Sequence, residues 1–167
     1  LGQVEAALGR GPAAMAAYRE ALAWSRRAPK EPGLEVSIRL HLAELDLQAG
    51  RLLEAEAECR RAEDVAIARN LPGRLIRVYA LMGRLRGLQG DETGFVFFEQ
   101  AIELCRTLGR SPGDEAQVYE AYGAFRRRLG QAEEARAYLE HARDLFASLG
   151  KSAELERVSD ELARLSA

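Results

Sequence analysis

One dipeptide recurs in this chain at a fixed interval and decides what it can fold into. Pro-Gly stands at Pro32-Gly33, Pro72-Gly73 and Pro112-Gly113, and a lone glycine follows each pair at Gly50, Gly90 and Gly130. Residues 32–71, 72–111 and 112–151 therefore form one 40-residue unit written three times. Self-similarity at a period of roughly 20–50 residues marks a solenoid, whose units bury surface on their neighbours in place of a single central core. Upstream, Leu1-Gly2, Gly9 and the run Ala14, Tyr18, Ala21, Leu22 fit the same template at an offset of 41. Residues 1–31 are thus expected to be a partial unit, residues 152–166 a capping helix, and 1–167 a single continuous domain.

Each unit reads as two helices. Alanine and leucine dominate the 47% hydrophobic content, while Val, Ile, Thr and aromatic residues are sparse, which favours helix over sheet. In the third unit, Pro112 suits a first helical turn, and Val118, Ala121, Tyr122 and Phe125 recur at spacings of three and four. Gly130 closes that helix. Residues 131–147 form the next, with Ala135, Tyr138, Leu139, Ala142, Leu145 and Phe146 on one face. Small residues mark close helix approaches at Ala43, Gly83 and Gly123, at Ala55, Gly94 and Ala135, and at Ala62, Ala101 and Ala142. The middle unit is one residue short between Gly90 and Ala101, a deletion that a turn is expected to absorb. The partial unit should contribute a helix over 12–27, and Ser152 is expected to cap the last helix, whose apolar stripe is Leu155, Val158, Leu162 and Leu165.

Composition excludes several classes of function. Charged residues make up 30% with both signs mixed and a net charge of −2, so there is no basic field for direct nucleic-acid binding or for an anionic membrane surface. No run of 18 apolar residues occurs, and residues 1–20 lack the basic-then-apolar pattern of a leader. Cys59 and Cys105 lie inside helical patterns of different units, as suits small core residues in a reducing, cytoplasmic compartment. His41 and His141 belong to no ligand-spaced motif, and the segment GLQGDETG lacks the Lys-Ser/Thr of a phosphate loop. No nucleophile, base and oxyanion donors cluster, so neither an enzyme nor a metal or other cofactor is expected.

The order of small and large residues resembles the tetratricopeptide repeat (TPR) family. Tyr122-Gly123, Gly130, Ala135, Leu139 and Ala142 match its pattern in the last unit, and Leu42-Ala43, Gly50, Ala55, Cys59 and Ala62 match it in the first full one. Two departures stand out: Asp46, Arg86 and Arg126 replace the mid-helix aromatic, and each unit is longer than the consensus by six residues. The longer form is similar to arrays in bacterial regulators of the maltose-activator type and related signalling ATPases. The ending Leu145-Phe146, Leu149-Gly150, Glu154-Leu155, Arg157-Val158 is similar to the tails of those proteins. This resemblance implies an all-α, right-handed solenoid of antiparallel helix pairs, acting as an interaction or sensor region within a larger bacterial regulatory protein.

In such arrays the first helices of successive units line a concave groove. Carried onto this chain, the groove positions are Ser37, Leu40, Glu44, Leu47 and Gln48, then Arg77, Ala80, Arg84 and Leu88, then Gln117, Glu120, Ala124, Arg127 and Arg128. Arg77, Arg84, Arg127 and Arg128 would grip carboxylates or a phosphorylated segment through forked hydrogen bonds, and Leu40, Leu47 and Leu88 would form an apolar floor. The lysine-and-asparagine clamp of chaperone-binding TPR proteins is missing from these positions. The expected partner is a protein or peptide segment of acidic character. The competing expectation is a homodimer, in which the array serves structural self-association.

Overall fold

The computed structural model describes residues 11–27, 31, 33–109 and 112–165, and these are all-α: eight helices and one 3-10 turn, with no strand among the described residues. The helices are α1 (Gly11–Arg27), α2 (Leu34–Gln48), α3 (Leu52–Ala68), α4 (Pro72–Leu88), α5 (Phe95–Leu108), α6 (Pro112–Arg128), α7 (Ala132–Ser148) and α8 (Ser152–Leu165). The partial-unit stretch Leu1-Gly2 to Gly9 lies outside the described residues. Contacts cluster into two compact units, Leu1–Leu81 and Met82–Ala167, so α4 gives its first part to one and its last turns to the other.

The recurring glycine does the same work at every full-unit hairpin. Gly50, Gly90 and Gly130 hold φ of 72°, 72° and 78°, the left-handed region that a side chain disfavours. There the amide of Arg51 reaches back to the Asp46 carbonyl at 2.8 Å and that of Gly50 to the Leu47 carbonyl at 3.1 Å, the paired bonds of a Schellman stop. Asp91 to Arg86 and Gln131 to Arg126 repeat the longer bond at 2.9 and 3.0 Å. Residues five apart across these turns also join through their side chains. Arg51 Nε donates to Asp46 Oδ1 at 2.7 Å, Arg86 pairs with Asp91 at 3.8 Å, and Arg126 Nη1 donates to Gln131 Oε1 at 2.8 Å. The positions where this chain departs from the TPR aromatic are therefore braces that pin each helix to the turn after it.

The residue missing from the middle unit is replaced by geometry. After Asp91 the chain makes a 3-10 turn, Glu92–Gly94, before α5 begins at Phe95. A 3-10 segment rises about 2.0 Å per residue against 1.5 Å in an α-helix, so three such residues recover about one helical residue of length. The Asp91 carboxylate starts the turn by accepting from Thr93 N at 2.9 Å and Thr93 Oγ1 at 2.7 Å, and these bonds hold it below its ordinary pKa of 3.8. One local expectation is corrected at α8. Ser152 is its first helical residue, and the first helical bond runs from Leu155 N to the Lys151 carbonyl, so Lys151 occupies the cap position.

In the first unit, Ala14 and Tyr18 of α1 close on Ile38 and Leu42 of α2, with Met15, Ala21, Leu22 and Leu45 around them. Between α2 and α3 lies a buried ionic cluster. Arg39, 3% exposed, donates through Nε and Nη2 to Glu35 Oε1 and through Nη1 to Glu58 Oε2, the last at 2.8 Å. Arg69 approaches Glu35 at 3.6 Å and Arg61 meets Glu58 at 2.6 Å, so the pair is satisfied from both sides. In the second unit α5 packs on α6, α6 on α7 and α7 on α8. Phe98 stacks on Tyr122 at 4.8 Å between ring centroids, and Tyr122 on Tyr138 at 4.1 Å. Every small position noted in the repeat is buried. At Gly123 an added Cβ would lie 2.6 Å from Leu139 Cγ and 3.1 Å from the Ala135 carbonyl oxygen. Cys59 and Cys105 are both buried.

Candidate functional site

Three helices of the second unit present matching stripes to one space. Arg84 and Leu88 lie four apart on α4; Gln117, Glu120, Ala121, Ala124 and Arg128 recur at threes and fours on α6; Arg157 and Glu161 lie four apart on α8. Arg84, Gln117, Glu120, Ala121, Ala124, Arg157 and Glu161 line a cleft of about 410 Å³. Arg84, Ala121 and Ala124 also border a recess of about 110 Å³ that continues it, with Gly87, Leu88, Phe125 and Arg128 completing the wall. Six residues expected in the groove, Arg84, Leu88, Gln117, Glu120, Ala124 and Arg128, thus share one trough.

Its charges divide into paired and unpaired. Arg157 forks onto Glu120, Nε to Oε1 at 2.6 Å and Nη2 to Oε2 at 2.8 Å, and that hydrogen bond, ahead of the pull of the neighbouring carboxylates, raises the Arg157 pKa further. Arg127 stands 3.6 Å from Glu161 Oε1. Arg84 and Arg128 are exposed and make no ion pair or hydrogen bond among the described residues. Arg84, Arg128 and Arg157 against Glu120 and Glu161 leave the lining one charge to the positive side in a chain whose net charge is −2. One acceptor is also left over: Glu161 Oε2 is buried and has no hydrogen-bond partner among the described residues.

The remaining groove expectations fall on the first unit and fare differently. Arg77 and Glu44 approach at 3.9 Å, both partly exposed; Leu47, Ser37 and Ala80 are half-buried, and Gln48 is exposed. Leu40 is corrected. At 1% exposure it is part of the interior and offers no floor to a partner. The reason is the packing of α2, where Glu35, Val36, Ile38, Arg39, Leu40, Leu42, Ala43 and Asp46 are all buried, more than half of the helix circumference. Arg157 and Glu161 were not among the expected groove residues. Arg157 follows Gln117 by the same interval of 40 that separates Gln117 from Arg77, so carrying the repeat one step into the last helix identifies it. The first unit has a separate cleft of about 490 Å³, lined by Gly11, Pro12, Met15, Arg19, Leu45, Ala49 and Arg51.

No group of three or more His, Cys, Asp or Glu side chains converges among the described residues. His41 Nδ1 lies 2.6 Å from the Ser37 carbonyl oxygen and its ring stacks on Tyr18, while His141 sets its edge against Tyr119 at 4.2 Å. No described helix is long and apolar enough to cross a membrane.

No protein-family model and no curated protein sequence matches the chain. Its fold does have a solved counterpart. The crystal structure of BtubC (BKLC) from P. vanneervenii matches with a TM-score of 0.67, covering 99% of this chain and 77% of that one at 18% identity. At that identity the likeness extends to the fold alone.

Proposed function

We propose that the chain is a non-catalytic peptide-binding module of tetratricopeptide type, a right-handed solenoid that belongs to a larger bacterial cytoplasmic regulatory protein. The repeat phase, the hairpin stops and the buried small residues support the solenoid. One observation carries the binding role: Arg84 and Arg128, unpaired among the described residues, flank an apolar strip of Gly87, Leu88, Ala121, Ala124 and Phe125. An exposed guanidinium offers fixed, forked donors that fit carboxylates, and small side chains beneath let an extended segment lie close. The walls are packed helices, so the ordering cost of binding falls on the partner and little on the scaffold. The partner segment is acidic. The test is fluorescence anisotropy with a fluorescein-labelled glutamate-rich peptide. The double change Arg84→Glu with Arg128→Glu should abolish binding while far-ultraviolet circular dichroism stays unchanged; unaltered affinity in the double variant removes this reading.

A further inference from the structure

The cleft of the first unit differs from the trough in what lines it. Its wall carries two arginines, Arg19 and Arg51, and no acidic residue, whereas the trough sets Glu120 and Glu161 among its arginines. Met15 and Arg19 lie one turn apart on α1, and Leu45 and Ala49 one turn apart on α2, so each helix turns a stripe towards the same space. Met15 and Leu45 rest on the core of Ala14, Tyr18, Ile38 and Leu42, which makes the floor of the cleft a continuation of the apolar interior. Its volume of about 490 Å³ falls within the range of roughly 300–1,000 Å³ of small-molecule sites, which are mostly apolar with a few placed polar groups.

The two guanidiniums lack a matching acceptor in that space. Arg51 is fixed on one side, where Nε donates to Asp46 Oδ1 at 2.7 Å, and its Nη2 donates to the Met15 thioether at 2.9 Å. A thioether sulfur is a weak acceptor for a charged donor. Arg19 is exposed and makes no ion pair or hydrogen bond among the described residues. Asp46 balances one of the two arginines, which leaves one positive charge for a ligand. Because Met15 touches Arg51 and sits one turn from Arg19, a single anion above Met15 is within reach of both.

We infer that this cleft binds a small carboxylate with an aliphatic body. The carboxylate takes Arg51 Nη2 in place of the Met15 sulfur and accepts from Arg19, while the hydrocarbon lies on Pro12, Met15 and Leu45. The exchange is favourable because a charge-assisted bond replaces one to a weak acceptor, and the unbranched Met15 side chain can give way without disturbing the core beneath it. The Asp46 bond positions Arg51 beforehand, so little ordering remains at that end. The site shares no residue with the trough, and its test is separate from that of the peptide reading.

The chain has two methionines, Met15 in the cleft and Met82, 6% exposed in the second unit. Isotope-labelled methionine methyl groups in the full 167-residue chain therefore give one nuclear magnetic resonance signal for the site and one as an internal control, assigned with Met15→Leu. Titration with sodium octanoate should shift the Met15 signal alone and saturably. Octanoate should also bind about tenfold more tightly than octanamide, which has the same body without the charge. Arg19→Gln, at an exposed residue with no partner among the described ones, should remove most of that preference and leave octanamide unchanged. Equal affinity for the two compounds would show an apolar cleft without an anion site and overturn the inference. It is equally overturned if octanoate binds Arg19→Gln as tightly as the parent chain, if both methyl signals move together, or if Met15 does not respond.

Discussion

Gly123 and Tyr122 are neighbours in sequence with opposite requirements, one for empty space and one for a filled pocket. Gly123 lets α6 approach α7 so closely that a methyl group would press on Leu139 and on the Ala135 carbonyl oxygen. Backbone cannot move aside as a side-chain tip can, so Gly123→Ala should destabilise the fold by about 1–3 kcal/mol, read as a lower melting temperature. Ala135→Leu, on the facing helix, should act in the same direction. Tyr122 is enclosed by Phe98, Phe125 and Tyr138, and burial pushes its phenol from 10.0 up to about 12, with the Arg126 hydrogen bond opposing and Tyr138 adding to the rise. An acid whose folded pKa lies above its unfolded one stabilises fully below the unfolded value and loses that contribution as pH rises towards the folded one. The urea midpoint should therefore fall between pH 10 and about 12, and Tyr122→Phe should flatten that fall relative to the parent protein. Both residues could be placed by the repeat pattern, because sterics at a helix crossing recur with the period. Tyr122's proton affinity could not, since it depends on Phe98 and Tyr138, which come from two other helices.

The helices themselves were readable because their stops are local: a residue in the left-handed region, glycine after α2, α4, α6 and α7 and Asn70 after α3, with two backbone bonds within six residues. The misses were also local. Ser152 has the chemistry of a cap, but the Schellman turn at Gly150 fixes where α8 starts and makes Lys151 the cap instead. The turn expected to absorb the deletion does stand at Glu92–Gly94, and only its 3-10 geometry was unreadable from the residues. The turn braces were visible only as departures from a family pattern until their partners five residues on were in view. Asp46 is buried and Arg51 is partly exposed, so Arg51→Ala should leave an unmatched buried carboxylate and destabilise by about 1–3 kcal/mol, discounted for the solvent at the arginine end. Exchanging the pair, Asp46→Arg with Arg51→Asp, should recover most of the loss in the same denaturation assay. Failure of the exchange to recover stability would show that the surroundings of Asp46, and not the pairing, set its identity.

A chain of net charge −2 that lines one trough with three arginines and two glutamates separates its local field from its overall one. Binding of an acidic peptide should accordingly weaken as salt is raised from roughly 0.05 to 0.5 M, because the Debye length shrinks from more than about 10 Å to a few ångströms. An affinity indifferent to salt would point to the apolar strip as the whole of the site. The trough was read as far as α6 and missed on α8, which was taken for a cap although the 40-residue interval from Gln117 reaches Arg157 on it. Leu40 failed for the complementary reason: position in the template says which way a residue points, not how many neighbours cover it. The braces bear on assembly as well as on stability. Each brace joins residues only five apart, at Asp46–Arg51, Arg86–Asp91 and Arg126–Gln131, so every turn carries its own tie whatever packs beside it, and a unit could be exchanged without rewriting the turns of its neighbours.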